Sequence, residues 1–449
     1  MTTKKLIDTY IKFFEKRDHK RIPNSPLVPI DDPTTLFTSS GMQPLVPYLL
    51  GQPHALGKRL VNVQNCFRAQ DIDQVGDMNH TTFFRMLGNW SLGDYFKKEQ
   101  LVWFFDFLTK ELGIPAKRLY ASVFKEFNAI PADKESAKIW QEIFEKADLN
   151  PGERIFFYGP SENWWSRSGG PEDMPEGEPG GPDSEVFYDF ETPHDKRFGK
   201  NCHPNCQCGR FLEIGNSVFM QYKKGKIGFE ALPQKNVDFG GGLERILAVL
   251  EGQPDLFRTA LFRPIIKTIE KQMGQEYKIH APKLRIIADH TIATCFITAS
   301  GVSPSNTGQG YILRRLIRRT IDCFYKVPKF NLITLVEAII DQYKETDPQF
   351  PTLFEKIKYT LFEEEKVYRE TLLRARNLIA KKYKEEVGDE LKGQVKISAD
   401  DAFLLYATHG LSPTQIKSLG FVFSGREFAQ KMQKHQEISQ IGAAKKFAR

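Results

Sequence analysis

Two arginines, a set of aspartates and a run of glycines carry the clearest chemistry in this chain. Arg68 ends a strand-like run, NVQNCFR at 62–68, which enters an Asp-rich loop and returns through TTFFRMLGNW at 81–90. A strand-loop-strand hairpin holds a guanidinium on a rigid support, where it can grip an anion through two parallel hydrogen bonds. Asp71 and Asp73 in the loop can balance that charge or hold a magnesium ion; an ordinary surface arginine beside a loop is the plain alternative. Further on, VDFGGGLERI at 237–246 runs Gly240, Gly241 and Gly242 straight into a helical pattern that bears Arg245. Backbone without side chains lets a ligand approach closely at a helix start, although a tight turn needs the same glycines. The lysine and hydroxyl of a P-loop are missing, and so is the GxGxxG turn of a dinucleotide fold. Asp238, just before the glycines, offers a carboxylate suited to an ammonium group. In NCHPNCQCGRF at 201–211, Cys202, His203, Cys206 and Cys208 are ligand types of a structural zinc site at unusually tight spacing, with reduced thiols in a loop as the alternative.

The elements that must position these groups fall into two parts. Residues 1–255 alternate short aromatic strands (LYASVF at 119–124, RIFFYG at 154–159, EVFYDFE at 185–191, SVFMQY at 217–222) with amphipathic helices near 2–18, 97–112 and 133–147. That order predicts an α+β unit built on a largely antiparallel sheet flanked by helices, since the repeated strand, glycine loop and helix rhythm of a doubly wound fold is absent. The Gly/Pro/Glu stretch 168–182 reads as a loop with nothing to bury. From 256 to 449 the pattern becomes long helices, including one from Leu353 to about Glu386, then a small piece from Asp400 and a charged terminal helix. The charge divides likewise: 31 basic against 35 acidic residues up to 255, then 32 against 21. A basic helical part suits a polyanion, and Arg314, Arg315, Arg318 and Arg319, two i,i+4 pairs on one helix, suit phosphates or acidic neighbours.

Other classes are excluded by composition. With 449 residues, 41% apolar and 27% charged, the chain is globular rather than disordered. Its longest apolar runs, such as LVWFFDFL, fall well short of the ~20 residues of a membrane crossing, and its N-terminus reads as an amphipathic helix rather than a signal peptide. Six cysteines in this length are no secreted disulfide framework, so a cytoplasmic protein without membrane contact is expected, with Cys66, Cys295 and Cys323 in the core.

Arg68 on its hairpin together with GGGLERI resembles motifs 2 and 3 of the class II aminoacyl-tRNA synthetases. The segments SPLVPIDDPTTLFTSSGMQPLVPYLLG at 25–51, TTFFRMLGNWSLGDYFKKE at 81–99, NWW at 163–165, FLEIGNSVFMQYKK at 211–224 and ADHTIATCFITASGVSPSNTGQGYILRRLIRR at 288–319 resemble the alanyl-tRNA synthetase family, in family order along the whole chain. The resemblance implies activation of L-alanine with ATP and Mg²⁺, then transfer to the acceptor end of tRNA(Ala). It gives Arg68 the α-phosphate and carboxylate, Arg245 the bent ATP, and Asp71, Phe84 and Gly242 places around the nucleotide. No side-chain nucleophile is expected, because an ionised carboxylate attacks phosphorus in line and positioning supplies the rate. Asp238 would receive the amino group, Trp165 and Val218 would limit the side chain to a methyl, and Asn216 and Gly240 would complete the pocket. Asn306 matches the asparagine that reads the G3:U70 pair of the acceptor stem. Family members carry an editing domain after the helical region; this chain is expected to end before it, to mischarge glycine or serine, and to act as a monomer.

Three departures qualify that reading. EPGGPDSE at 178–185 stands where the family has GPCGPCSE, and is expected to close the site through Glu185 and backbone groups. FFRML stands for FFEML, so Arg85 adds a positive charge near the ATP loop, toward phosphate, tRNA or a loop aspartate. Thr414 stands where an acid partners the asparagine, and a hydroxyl cannot replace a carboxylate accepting from the guanine amino group, which predicts weakened dependence on G3:U70. A non-catalytic tRNA-binding paralogue and an enzyme charging a carrier protein are the rival readings; the intact phosphate arginines and amino-acid pocket disfavour the first, the basic helical part and Asn306 the second.

Overall fold

In a computed structural model of the chain, residues 1–29, 35–383 and 395–434 are described. The segment 30–34, inside the SPLVPIDDPTTLF motif, and the end of the terminal helix pattern beyond 434 lie outside the described residues.

Strands alternate with helices up to Gly242, and the described strands there form one sheet of nine: β1 (Lys20–Arg21), β2 (Arg59–Phe67), β3 (Phe83–Leu92), β4 (Leu119–Phe124), β5 (Ile155–Tyr158), β6 (Trp164–Ser166), β7 (Pro179–Asp189), β8 (Phe211–Lys224) and β9 (Phe229–Gly242). Their order is β1-β2-β3-β9-β8-β7-β4-β5, with β6 added to β7. The pairings from β2 through to β4 are antiparallel, and within the described strands of this sheet parallel pairs occur only at its two edges.

Helices Thr3–Glu15, Lys97–Asp106 and Lys134–Lys146 sit where the apolar spacing predicts them and bury one face each against this sheet. Tyr10, Phe14, Phe104 and Phe107 meet Phe239 and Leu87 in the core beneath it. One expectation fails here: the stretch 168–182 is not loop throughout. Its last residues, 179–182, begin β7, and Gly180 to Pro182 are buried. Glycine makes this possible, since a Cβ on Gly181 would lie 2.0 Å from the Phe219 carbonyl oxygen, so only bare backbone lets β7 press this close to β8. Met174, from the same stretch, is buried beside Phe124 and Trp164.

Beyond β9 the chain is mostly helical: Leu243–Leu250, Arg263–Met273, Tyr277–Ala299, Gly308–Phe324, Leu332–Tyr343 and Phe354–Lys382. Leu284, Ile287, Leu313, Leu316, Leu335 and Ile339 interlock these helices at the spacing that keeps one face apolar. A small unit follows, in which Val395–Lys396 and Phe421–Val422 pair in parallel around the helix Ala399–His409. Cys66 and Cys295 are buried as expected, and Cys323 packs half-buried against the same core.

Candidate active site

A cleft opens over the middle of the sheet, lined by Arg68, Asp71, His80, Phe84, Glu213, Gly240 to Gly242 and Arg245. The hairpin β2–β3 supplies one wall and the start of the helix Leu243–Leu250 the other. Arg68 follows directly on β2; its Nε donates to the Ser39 carbonyl at 3.2 Å, and its guanidinium lies 4.8 Å from the centre of the Phe84 ring. Arg245 Nη1 donates to Glu213 Oε2 at 2.7 Å and to the Glu213 carbonyl at 3.1 Å, which holds the side chain across the glycine run. Burial pushes the Asp71 carboxyl up, against the pull of Arg68. Two arginines and an aromatic ring around one concave space can hold a polyphosphate and a planar base.

Beside the cleft, strand register assembles a second pocket. Asp183, Val218, Asp238 and Trp90 stand opposite one another across β7, β8, β9 and β3, and the next row along holds Glu185, Asn216, Gly240 and Gly88. Directly paired antiparallel residues point to the same face, so these side chains converge. The Trp90 ring folds over Gly88, where a Cβ would lie 2.2 Å from it, and its Nε1 donates to Asp238 Oδ1 at 2.7 Å. Trp165 and Val218 pack in the same small apolar cluster as Trp90. Burial pushes Asp238 up to about 7, with the Trp90 hydrogen bond the opposing pull. A buried carboxylate with a single neutral donor lacks a counter-charge, and Asn216 Oδ1 nearby is buried without a partner. Asp183, held by Asn163 Nδ2 at 3.0 Å, is also pushed up by burial to about 7. Glu185 is half-buried on the face that it shares with Asn216 and Gly240, and accepts from Ser122 Oγ at 3.1 Å.

Arg85 does not join the cleft. It alternates with Phe84 on β3 and so points to the opposite face, where it is almost fully buried. Its Nε donates to Glu244 Oε1 at 3.3 Å, its Nη1 donates to Thr346 Oγ1 at 2.8 Å, and its guanidinium stacks 4.9 Å from the Tyr343 ring centre. The expectation of a charge aimed at phosphate or tRNA is therefore corrected: Arg85 clasps the two halves of the chain together. Arg85→Ala leaves Glu244 buried with the backbone N–H of residue 85 but without its counter-charge, at an expected cost of about 3–5 kcal/mol. Arg85→Glu alone, which sets two carboxylates together, is expected to fare worse. Chemical denaturation of both variants and of Arg85→Met/Glu244→Gln, expected to recover much of the loss, checks this.

The four helical arginines divide into two clamps. Arg314 and Arg318 share Glu364, through Nε contacts of 3.2 and 2.8 Å, while Arg315 and Arg319 hold Asp73 of the hairpin loop at 2.6 and 2.9 Å. Asp73 is thus turned away from the cleft and is not placed to hold magnesium there. Each arginine keeps part of its side chain exposed. Arg314 also donates to Asn306 Oδ1, which sets that amide in front of the helix Gly308–Phe324. The side chain of Thr414 lies outside the described residues; its backbone belongs to the helix Pro413–Ser418.

The cysteine cluster forms, with one exchange of ligand. His203 turns its Nδ1 to the Tyr158 hydroxyl at 2.9 Å, and His194, eight residues before Cys202, comes to the three thiols instead. Spacing alone favours the histidine next to the cysteines; the chain reversal that brings in His194 is not visible in it. Trp90, Glu213 and Asp183 are likewise missing from the sequence reading. Trp90 has a signal in its place two residues from Gly88, which is the spacing needed for a ring to cover a glycine on one strand face.

Comparison with known proteins agrees with this geometry. The family model described as tRNA synthetases class II (A) matches residues 5–448. The alanine-tRNA ligase of Treponema denticola is 40% identical over 100% of this chain and 74% of its own length. That of Borreliella afzelii is 41% identical with the same coverage, and that of Thermotoga maritima 38% identical over 98% of this chain and 49% of its own.

Proposed function

The chain belongs to the alanine-tRNA ligase family of class II aminoacyl-tRNA synthetases, and on that premise we propose how its residues carry out the reaction. The enzyme activates L-alanine with ATP, releasing pyrophosphate, and transfers the alanyl group to the 3′ end of tRNA(Ala). We assign the aminoacylation unit to residues 1–255 and acceptor-stem recognition to 256–449.

The placement of Asp238 and Gly240 on one face of β9 carries this reading. Two residues along a strand span about 7 Å. An amine held at Asp238 sets the alanine carboxylate over Gly240, beside the cleft that Arg68 and Arg245 line. Arg68 would bind the α-phosphate as its charge rises during attack, and Arg245 the far end of the triphosphate, with Phe84 against the base and Gly242 leaving room for the chain to bend. Asn216 Oδ1 would accept a second ammonium proton. Trp165 and Val218 would stop larger side chains, while rejection of glycine by one methyl yields only about 1–3 kcal/mol. Magnesium, when bound, neutralises the triphosphate; Asp71 and Glu213, hard oxygen donors in the cleft, fit it and would meet it there.

For tRNA, Asn306 would read the acceptor stem and Arg314, Arg315, Arg318 and Arg319 would meet backbone phosphates with their exposed N–H groups. We place the enzyme in the cytoplasm as a monomer, as the family resemblance implies. Among the described residues no helix is long and apolar enough to cross a membrane. Asn306→Ala tests the tRNA assignment: charging of a G3:U70 transcript is expected to fall about 10-fold or more while alanine-dependent pyrophosphate exchange is unchanged. Thr414→Asp is expected to sharpen discrimination against G3:C70. Equal charging of both transcripts before and after that change would refute the role of position 414.

A further inference from the structure

The connection 190–210 joins β7 to β8, the strands that carry Asp183 and Asn216, and its one helical element is the short 3-10 helix Lys196–Phe198. His194 near its start and Cys202, Cys206 and Cys208 toward its end bring four ligand atoms within 4.8 Å of one another. Cys202 Sγ lies 3.6 Å from Cys208 Sγ, and Cys206 Sγ lies 3.8 Å from His194 Nδ1. A tetrahedral zinc ion with ~2.3 Å Zn–S bonds sets its ligand atoms roughly 3.7 Å apart, so the cage has the size the ion requires.

The surroundings have the character of ligand supports. His194 Nε2 lies 2.9 Å from the Gly199 carbonyl oxygen, to which it can only donate. That hydrogen bond fixes the tautomer and leaves the Nδ1 lone pair turned to the sulfurs, as a metal-bound imidazole requires. The Arg210 guanidinium clamps Asp189 through contacts of 2.9 and 2.7 Å, anchoring both ends of the connection. His203 is excluded by its bond to Tyr158.

We propose that His194, Cys202, Cys206 and Cys208 form a structural zinc site that staples the β7–β8 connection. All four positions are filled by protein atoms, which leaves no open position for water or substrate and separates the site from catalysis. Binding transfers three thiol protons to solvent and involves no oxidation. Three thiolates with one imidazole favour zinc over magnesium or calcium, which prefer oxygen.

The test uses the intact chain purified under reducing conditions, with metal content measured by elemental analysis. About one zinc per chain is expected in the parent and in His203→Ala, and a loss of at least five-fold in Cys206→Ser and His194→Ala. Because those two variants can also fail by misfolding, His194→Cys is included and is expected to keep the metal in a four-thiolate cage. Cobalt(II) in place of zinc is expected to show thiolate charge-transfer bands and intense tetrahedral absorption. Iron as the stoichiometric metal, no stoichiometric metal after zinc reconstitution, a Cys202–Cys208 disulfide in the freshly purified chain, or loss of zinc in His203→Ala equal to that in His194→Ala would overturn the proposal.

Discussion

Asp238→Asn is expected to lower alanine-dependent pyrophosphate exchange by roughly 10²- to 10³-fold, with most of the loss in the KM for alanine. The change is nearly isosteric and keeps an oxygen for Trp90 Nε1, so the pocket retains its shape and loses its charge. Truncating one partner of a buried, hydrogen-bonded ion pair costs about 2–5 kcal/mol, and here the stranded partner is the substrate's ammonium.

The same carboxyl fixes a pH dependence. Burial pushes Asp238 up to about 7, and ammonium binding needs it ionised, so the KM for alanine is expected to rise as pH falls below about 7. The stability effect has the opposite sense. A carboxyl with a raised folded-state value binds more protons in the folded chain than in the unfolded one, so its stabilising effect is fully present below the ordinary value near 4 and is lost as pH rises toward 7. The asparagine variant is therefore expected to lose less thermal stability than the parent between pH 5 and pH 8. Melting curves of the two proteins at both pH values measure the difference; an equal loss would mean that Asp238 is already ionised in the empty pocket.

Arg68→Ala is expected to reduce exchange by about 10³-fold or more, with the loss mainly in kcat. An arginine that meets charge developing on a transferring phosphoryl group is worth about 10³ to 10⁵ in rate. Arg68→Lys keeps the charge but not the planar fork, and is expected to recover only a small part. Its cation-π contact with Phe84 and its bond to Ser39 hold the guanidinium in place before substrate arrives, so the alanine variant is also expected to bind ATP more weakly. Loss confined to the KM for ATP, with kcat unchanged, would restrict Arg68 to ground-state binding.

The strands and helices around this site were readable because their apolar residues recur at the period of the element. LYASVF became β4 without a shift of register, and the helices near 97 and 133 begin within a residue of their expected starts. Arg68, Phe84 and Arg245 were readable as well, since strand, glycine run and helix each constrain where a side chain points. What escaped were facts of long-range register. Arg85 and Phe84 are neighbours in sequence, and only the pairing of β3 with β2 and β9 decides which faces the cleft. Trp90 reaches Asp238 from 148 residues away, and Arg315 and Arg319 reach Asp73 across more than 240. Periodicity describes a segment against its surroundings and contains no information about which distant residue fills the other side. His194 escaped for a related reason: an irregular connection has no period from which a reversal can be read.

The most direct test of the account is amino-acid-dependent exchange of pyrophosphate into ATP by the intact chain, with alanine, glycine, serine and leucine compared at equal concentration. Strong exchange is expected with alanine, a measurable rate with glycine about 10- to 200-fold lower, slower but measurable exchange with serine, and none with leucine, because Trp165 and Val218 close the pocket beyond a small side chain. Absence of alanine-dependent exchange, or exchange with leucine at the alanine rate, would contradict it.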